Sequence, residues 1–265
     1  LFRKWRRREM LDCRRPMVAR RRAIGYEQGV MEAPSKLMPV FPTVELLTPA
    51  LTALAEGRHG DPFALLGPHR NADGSCVLRV LQPRGRRVIV LDAASGAELG
   101  ELTRLHHAGL FTGTLTELPE RYRLRISADG RAIEREDPYR FPPLLSDFDL
   151  YLLGEGTDLR LYDKLGAHPA TLDGVEGTSF AVWAPNAKRV SVVGPWNDWD
   201  GRCHPMRLRH ERGIWEIFLP GVGLGALYKY ELLGADGALL PLKADPVGFR
   251  AELRPRTASI VGATL

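Results

Sequence analysis

The feature that most constrains this 265-residue sequence is an internal repeat. Short motifs of its first half return in the same order in its second half, at an offset that rises only from 99 to 108 residues. The matching pairs are Leu66-Gly67-Pro68-His69 with Leu165-Gly166-Ala167-His168, Leu78–Pro83 with Phe180–Pro185, Val88/Val90 with Val190/Val192, Gly109-Leu110-Phe111 with Gly213-Ile214-Trp215, Tyr122-Arg123-Leu124 with Tyr228-Lys229-Tyr230, and Asp137-Pro138 with Asp245-Pro246. This order indicates a duplicated module of about 100 residues.

Both copies alternate apolar and polar residues with a period of two. Trp215, Ile217 and Leu219 of the second copy fall on one face of such a strand. Turn signals such as Asp129-Gly130 and Asp236-Gly237 separate the strand-like segments. Strands do not alternate with longer helices, which excludes a Rossmann fold or a (β/α)8 barrel. The pattern predicts an all-β fold of two tandem immunoglobulin-like antiparallel β-sandwiches, with Trp215 in the core.

We expect the first sandwich over residues 41–150 and the second over 151–265, with 144–158 as the connection between them. Thr48-Pro49 is a typical helix start and Gly57 a typical stop, so a short helix is predicted over 49–56. Ten Lys or Arg against three acidic residues give residues 1–30 a charge of +7, so the remaining 235 carry −2 of the total +5. This charge density predicts a disordered basic tail over 1–40.

The composition argues against several classes of function. The near-neutral modules do not suit nucleic acid, although a basic arm that binds it stays an alternative for the tail. No apolar run approaches the ~20 residues of a membrane helix. Cys13, Cys76 and Cys203 have no pairing pattern, which indicates reduced thiols and a cytoplasmic location. No His falls in a metal-ligand spacing, so we expect no metal and no cofactor.

The two copies differ in one loop. The first has Val90-Leu91-Asp92-Ala93-Ala94-Ser95-Gly96 where the second has Val193-Gly194-Pro195-Trp196-Asn197-Asp198-Trp199-Asp200-Gly201. An exposed indole is a flat apolar surface on which a pyranose ring can stack. Asn197 and Lys229 are predicted to bind the sugar hydroxyls. The alternative for Trp196 is that it closes the end of the sandwich, which leaves Trp199 as the stronger candidate.

Several motifs together resemble bacterial glycogen branching enzymes. They are Phe180-Ala181-Val182-Trp183-Ala184-Pro185-Asn186-Ala187, the loop 196–201, Tyr228-Lys229-Tyr230, Lys243-Ala244-Asp245-Pro246 and Arg254–Val261. The stretch 59–69 resembles the opening of longer members of that family. Those members carry an extra N-terminal β-sandwich before a family-48 carbohydrate-binding module. The resemblance covers about residues 45–265 and implies the same two modules here.

The resemblance implies glucan binding rather than catalysis. In that family an α-amylase-type barrel, C-terminal to these modules, transfers α-1,4-glucan segments to 6-hydroxyls. Retaining chemistry of this kind needs two carboxyl groups about 5–5.5 Å apart. The carboxylates of this chain fall in turns or beside proline, so we expect no catalytic residue and no branching by the chain alone. Its expected partners are α-1,4-glucan or glycogen and a catalytic barrel that it lacks.

The resemblance also implies roles for individual residues. Trp199 and Lys229 occupy ligand-contacting positions of the family-48 module. A second aromatic residue, common after the Asp236-Gly237 turn, is replaced here by Ala238, Leu239 and Leu240. Candidates for the interface with the barrel are Asp245, Pro246, Arg254 and Pro255. The alternatives are an inert truncated fragment and the binding segment of another amylase-superfamily enzyme, either a debranching enzyme or a trehalohydrolase.

Overall fold

The computed structural model describes residues 46–209 and 212–263, and its regular structure is mostly antiparallel sheet. The first module contains β1 (Gly67–Arg70), β2 (Cys76–Leu81), β3 (Arg87–Asp92), β4 (Glu98–His106), β5 (Leu110–Leu115), β6 (Tyr122–Ala128) and β7 (Arg131–Glu136). The second contains β8 (Gly166–Leu172), β9 (Val175–Trp183), β10 (Arg189–Val193), β11 (Arg207–Arg209), β12 (Ile214–Pro220), β13 (Leu227–Leu233), β14 (Arg250–Ala251) and β15 (Ser259–Ile260). The all-β prediction is confirmed. The predicted tail over 1–40 lies outside the described residues.

Two α-helices accompany the described strands. The first, α1, spans Pro49–Ala55, where the predicted N-cap Thr48 accepts a hydrogen bond from the Leu51 amide at 3.3 Å. The second, α2, spans Asp147–Glu155, within the segment that we expected to be a plain connection. Ser146 and Asp149 form a capping box at its start, and Gly156 ends it in the left-handed region at φ 69°.

The first sandwich is a seven-stranded sheet that folds over on itself. Its strand order is β1-β2-β5-β4-β3-β6-β7. The first half of β4 pairs with β3 and its second half pairs with β5. A strand that changes partner along its length lets one sheet form two layers. The core between these layers includes Leu78, Val90, Phe111 and Tyr122, which alternate with polar residues as the period of two predicts.

The second sandwich has two four-stranded sheets. Their strand orders are β10-β13-β15-β14 and β11-β12-β9-β8. Trp215 is fully buried between them, as predicted, and its indole N–H donates to the Ala184 carbonyl at 3.1 Å. Phe180 and Tyr228 pack edge to face beside it, with ring centroids 5.1 Å apart.

The internal repeat extends to individual hydrogen bonds. In each copy the histidine of the Leu-Gly-x-His motif donates back to the leucine carbonyl. The carbonyl of the glycine that precedes β5 or β12 accepts from the residue that follows an earlier strand, β2 or β9. The matched bonds are His69 Nε2 to Leu66 O at 3.1 Å, His168 Nε2 to Leu165 O at 3.0 Å, Gln82 N to Gly109 O at 2.7 Å, and Ala184 N to Gly213 O at 2.9 Å. The duplicated motifs are therefore duplicated structural contacts.

A buried tyrosine–aspartate pair occurs once in each copy. The Tyr122 hydroxyl donates to Asp137 at 2.6 Å, and the Tyr228 hydroxyl donates to Asp245 at 2.7 Å. The other carboxylate oxygen of each aspartate accepts a backbone N–H from two residues further on. Burial raises the pKa of Asp137 to about 6 and raises the pKa of Asp245 as well.

The two sandwiches share one apolar core. Leu51 and Leu54 of α1 belong to the same buried cluster as Phe180 and Trp215 of the second sandwich. The first sandwich adds Leu81, Leu110 and Tyr139 to this cluster. The buried Arg189 guanidinium also donates to the Gly57 carbonyl and to Glu231. The helix and both sandwiches are therefore joined by buried contacts into one continuous body.

Candidate functional site

The loop that differs between the copies begins where β10 ends and has an unusual backbone. Asp198 and Trp199 both have positive φ, 53° and 60°. A bulky side chain rarely adopts this conformation, which persists only where surrounding contacts impose it. The Trp199 amide donates to Gly194 O and the Asp200 amide to Asn197 O, each at 3.0 Å. The loop is therefore a defined structure that displays residue 199 in a strained conformation.

Asn197 forms the centre of this loop. Its side-chain oxygen accepts from the Gly194 amide at 2.9 Å. Its Nδ2 donates to Val192 O at 3.1 Å and lies 2.8 Å from Nδ1 of His204. Asn197 is 6% exposed, and both donors are already used inside the protein. Its placement does not suit the predicted contact with sugar hydroxyls, because its oxygen and both of its N–H donors are used inside the protein.

The two tryptophans of the loop lie in different surroundings. Trp196 packs against the shared core, with its ring 6.2 Å from that of Phe180, and its indole N–H is buried without a hydrogen-bond partner. A Cβ on Gly194 would collide with the Trp196 ring, so that position requires glycine. Trp199 is half-buried and belongs to none of the apolar clusters formed by the described residues. This geometry suits the alternative in which Trp196 closes the end of the sandwich. It leaves Trp199 as the candidate surface for stacking on a sugar ring, which we call the loop platform.

Lys229 lies on the strand next to the start of the loop. It pairs with Val193, the last residue of β10. Its neighbours Tyr228 and Tyr230 are buried, so the alternation of β13 turns Lys229 outward, where it is half-buried. Its ammonium group donates to Thr257 Oγ1 at 2.7 Å. Since an ammonium has three donors, this contact leaves capacity for a ligand hydroxyl.

The first sandwich supports the loop through two arginines. Arg84 forms an ion pair with Asp198, and Arg135 Nη1 donates to the Trp196 carbonyl at 3.5 Å. Neither residue was predicted, because Arg84 lies 114 positions along the chain from Asp198 and Arg135 lies 61 positions from Trp196. No local pattern signals contacts at such separations.

The candidate interface residues divide into one internal and three exposed positions. Asp245 is 8% exposed and accepts from both Tyr228 and Tyr230, at 2.7 and 3.2 Å. Its carboxylate therefore has a structural role inside the sandwich, and a contact of Asp245 with a partner stays a prediction. Pro246, Arg254 and Pro255 are exposed.

An apolar groove next to Pro246 was not predicted. It has a volume of about 500 Å³ and is lined by residues that include Leu153, Leu161, Trp183, Pro246 and Val247. Trp183, at the end of β9, is 62% exposed. The alternation of β9 could have predicted this exposure. Because Phe180 and Val182 point into the core, Trp183 points to the opposite face of the sheet. We call this feature the Trp183 groove.

Residues 46–209 and 212–263 show neither a metal site nor a membrane-spanning helix. They contain no cluster of three or more His, Cys, Asp or Glu side chains placed to share a metal ion. None of their helices is long and apolar enough to cross a bilayer.

Family models match both modules. Residues 48–139 match the N-terminal domain of the α-1,4-glucan branching enzyme GlgB, and residues 164–248 match carbohydrate-binding module 48, the isoamylase N-terminal domain. These two matches fall on the two sandwiches. The second match includes the loop that carries Trp199.

This chain is highly identical to one part of several longer curated relatives. Proteins named 1,4-alpha-glucan branching enzyme GlgB from Rubrobacter xylanophilus, Paramagnetospirillum magneticum and Nitrobacter hamburgensis are 62%, 59% and 57% identical to this chain over 213, 210 and 209 residues. The matches cover 80%, 79% and 79% of this chain but 29%, 28% and 29% of those proteins. A pullulanase structure from Anoxybacillus sp. LM18-11 covers 74% of this chain and 27% of its own at 18% identity and a TM-score of 0.31, too low to bear on function.

Proposed function

Because this chain carries the two N-terminal modules of the 1,4-alpha-glucan branching enzyme GlgB family, we propose that it binds and positions α-1,4-glucan, such as glycogen, for branching by a catalytic part outside these modules. The support is the match of residues 164–248 to a carbohydrate-binding module and of 48–139 to the GlgB N-terminal domain. High identity to GlgB proteins favours this assignment over a debranching enzyme or a trehalohydrolase. We place the chain in the cytoplasm, supported by the free thiols of Cys76 and Cys203.

The observation that carries the proposal is the placement of Trp199. It lies outside the apolar clusters of the described residues, on a loop that holds it at φ 60°. An indole that buries about 100 Å² against a sugar ring gains roughly 2.5 kcal/mol. A few hydrogen bonds, for example from Lys229, add about 1 kcal/mol each, and ordering removes part of the total. The balance corresponds to a dissociation constant of about 1 mM for a short oligosaccharide.

Affinity electrophoresis in gels that contain glycogen tests this proposal. The parent chain should be retarded, and Trp199→Ala should be retarded clearly less, because the stacking surface of the loop is gone. Trp183→Ala is the matched control, since it removes an exposed indole at a site unrelated to the loop. Equal retardation of Trp199→Ala and the parent would show that this loop does not bind glucan.

We also propose that this chain alone does not branch glucan, because its two modules match an N-terminal domain and a carbohydrate-binding module. Incubation with amylose should produce no α-1,6 linkages in the anomeric region of the proton NMR spectrum, compared with a buffer control. New α-1,6 signals above the control would refute this proposal. A full-length GlgB relative serves as the positive control.

The Trp183 groove is the face that we propose for contact with the catalytic part of the longer proteins. It combines an exposed tryptophan with a concave apolar lining of about 500 Å³, features that are typical of the centre of a protein interface. Pro246 borders this groove, and the exposed Arg254 and Pro255 follow it in the chain. Leu253 beside them is 90% exposed and adds apolar surface.

A further inference from the structure

We propose that the groove between the two sandwiches is a second binding site for α-glucan oligosaccharides. This inter-sandwich groove has a volume of about 470 Å³ and is lined by Glu134 and Arg135 of the first sandwich and by Glu176, Trp196 and His204 of the second, among others. Small-molecule sites have volumes of about 300–1,000 Å³ and favour junctions between domains. Trp199 is not among the lining residues, so the groove is distinct from the loop platform.

The charges in the groove favour a neutral polar ligand. Glu134 is paired with Arg125 at 2.9 Å, and the neighbouring Glu136 is paired with Arg140 at 3.1 Å. The carboxylate of Glu176 forms no hydrogen bond or ion pair with the described residues, and it is exposed. Arg135 offers a guanidinium whose described hydrogen bond, to Trp196 O, is long at 3.5 Å. The groove thus offers a hydrogen-bond acceptor, the Glu176 carboxylate, and a donor, the Arg135 guanidinium. The carboxylate would repel an anionic ligand.

Two aromatic rings of the second sandwich, those of Trp196 and His204, line the groove. The Trp196 Nε1–H is buried and has no partner. His204 is a neutral ring, because burial lowers its pKa to about 3. Asn197 donates to Nδ1 of this ring, so the proton lies on Nε2, for which no hydrogen bond to a described residue exists. His204 therefore presents an N–H donor that the described residues do not use, while Trp196 borders the groove with its buried N–H nearby.

This combination matches the chemistry of a sugar. Each hydroxyl both donates and accepts, so it can bridge a carboxylate and a guanidinium or ring N–H, while an indole borders the C–H face. The assignment of the oligosaccharide as an α-glucan rests on the proposed function. A chain that passes over the loop platform and through the groove would then contact both sandwiches.

Indole NMR on the whole chain tests the groove separately from the loop. Maltoheptaose is titrated into ¹⁵N-labelled Trp199→Ala, and the Nε1–H signal of Trp196, assigned with Trp196→Phe, is followed. The signal should shift with saturation although the loop platform is gone. Glu176→Ala and Arg135→Ala, each added to Trp199→Ala, should weaken this binding about tenfold. Arg131→Ala, an exposed arginine of the same strand β7, is the matched control.

The outcomes separate the two sites. A silent Trp196 signal in Trp199→Ala, or affinity unchanged by both groove variants, would overturn the groove. If Trp199→Ala leaves glycogen retardation intact while the Trp196 signal saturates, the groove stands and the loop proposal fails. An unchanged Trp215 indole signal in each variant shows that the second sandwich remains folded, since that side chain is fully buried.

Discussion

Asp137 and Asp245 are carboxylates held inside the protein by tyrosine hydroxyls. Burial raises the pKa of Asp137 from 3.8 to about 6, against the hydrogen bonds from Tyr122 and the Tyr139 amide, which lower it. In the folded state this residue thus keeps a proton, between pH 3.8 and about 6, that the unfolded chain has released. Its contribution to the free energy of unfolding is greatest below 3.8 and is lost as the pH rises through about 6.

Asp137→Asn should remove this part of the pH dependence. As the pH rises from about 4 to about 7, the parent should lose on the order of 2–3 kcal/mol of unfolding free energy relative to the variant. Urea denaturation at several pH values measures the difference in unfolding free energy between the parent and the variant. Other carboxylates whose pKa is lowered contribute equally to both proteins, so their effect cancels in this difference. Asp129→Asn, at an exposed turn, is the control. Parallel curves for the parent and Asp137→Asn would contradict the raised pKa.

At the scale of elements, the loop 194–201 joins local strain to a buried hydrogen-bond centre. Asn197→Ala removes three side-chain contacts and leaves the Gly194 amide unpaired, which should cost about 2–4 kcal/mol of unfolding free energy. Because the Trp199 conformation depends on the same loop, glycogen binding should weaken as well. Urea denaturation and affinity electrophoresis measure the two effects, with the exposed Asn186→Ala as control. Lost stability with unchanged binding would separate Trp199 from glucan recognition.

The same elements show what the sequence can predict. Alternation and the repeat place most of the strands, and the Thr48-Pro49 signal predicts α1 to within one residue of its end. Helix α2 was missed although Ser146, Asp149 and Gly156 mark its ends, because its apolar residues do not follow a clear helical stripe. Composition alone does not show which polar side chain turns inward. The buried Asn197 and the outward-facing Lys229 were therefore both predicted to bind sugar hydroxyls. The contacts of Arg84 and Arg135 depend on the tertiary fold.

At the scale of the whole molecule, α1 and both sandwiches share one core. The predicted boundary at residue 150 falls inside α2, which packs on the second sandwich through Leu150. The expected domains 41–150 and 151–265 stay a prediction, and they meet in a buried cluster rather than at a flexible linker. The surface that we propose for docking is the Trp183 groove.

Docking at that groove can be measured with the catalytic part of a relative supplied as a separate protein. The parent chain should bind the remaining part of the Rubrobacter xylanophilus relative in analytical ultracentrifugation. Trp183→Glu should weaken this binding tenfold or more, roughly 1.4 kcal/mol or above, as expected when a tryptophan at the centre of an interface is replaced. Leu224→Glu, which changes an apolar residue that is 64% exposed and outside the groove, should bind as the parent does. Equal binding by Trp183→Glu, or none by the parent, would refute this interface.

The shared core has a geometrical consequence. Since the strand that precedes the Trp199 loop and the strand that ends in Trp183 both pack on that core through Val192 and Val182, neither site can move far without disturbing it. A glucan held at the loop would therefore keep a constant distance and direction from any protein docked at the Trp183 groove. The duplicated body would act as a rigid spacer, and its dimensions would determine how far along a bound chain an attached enzyme can reach.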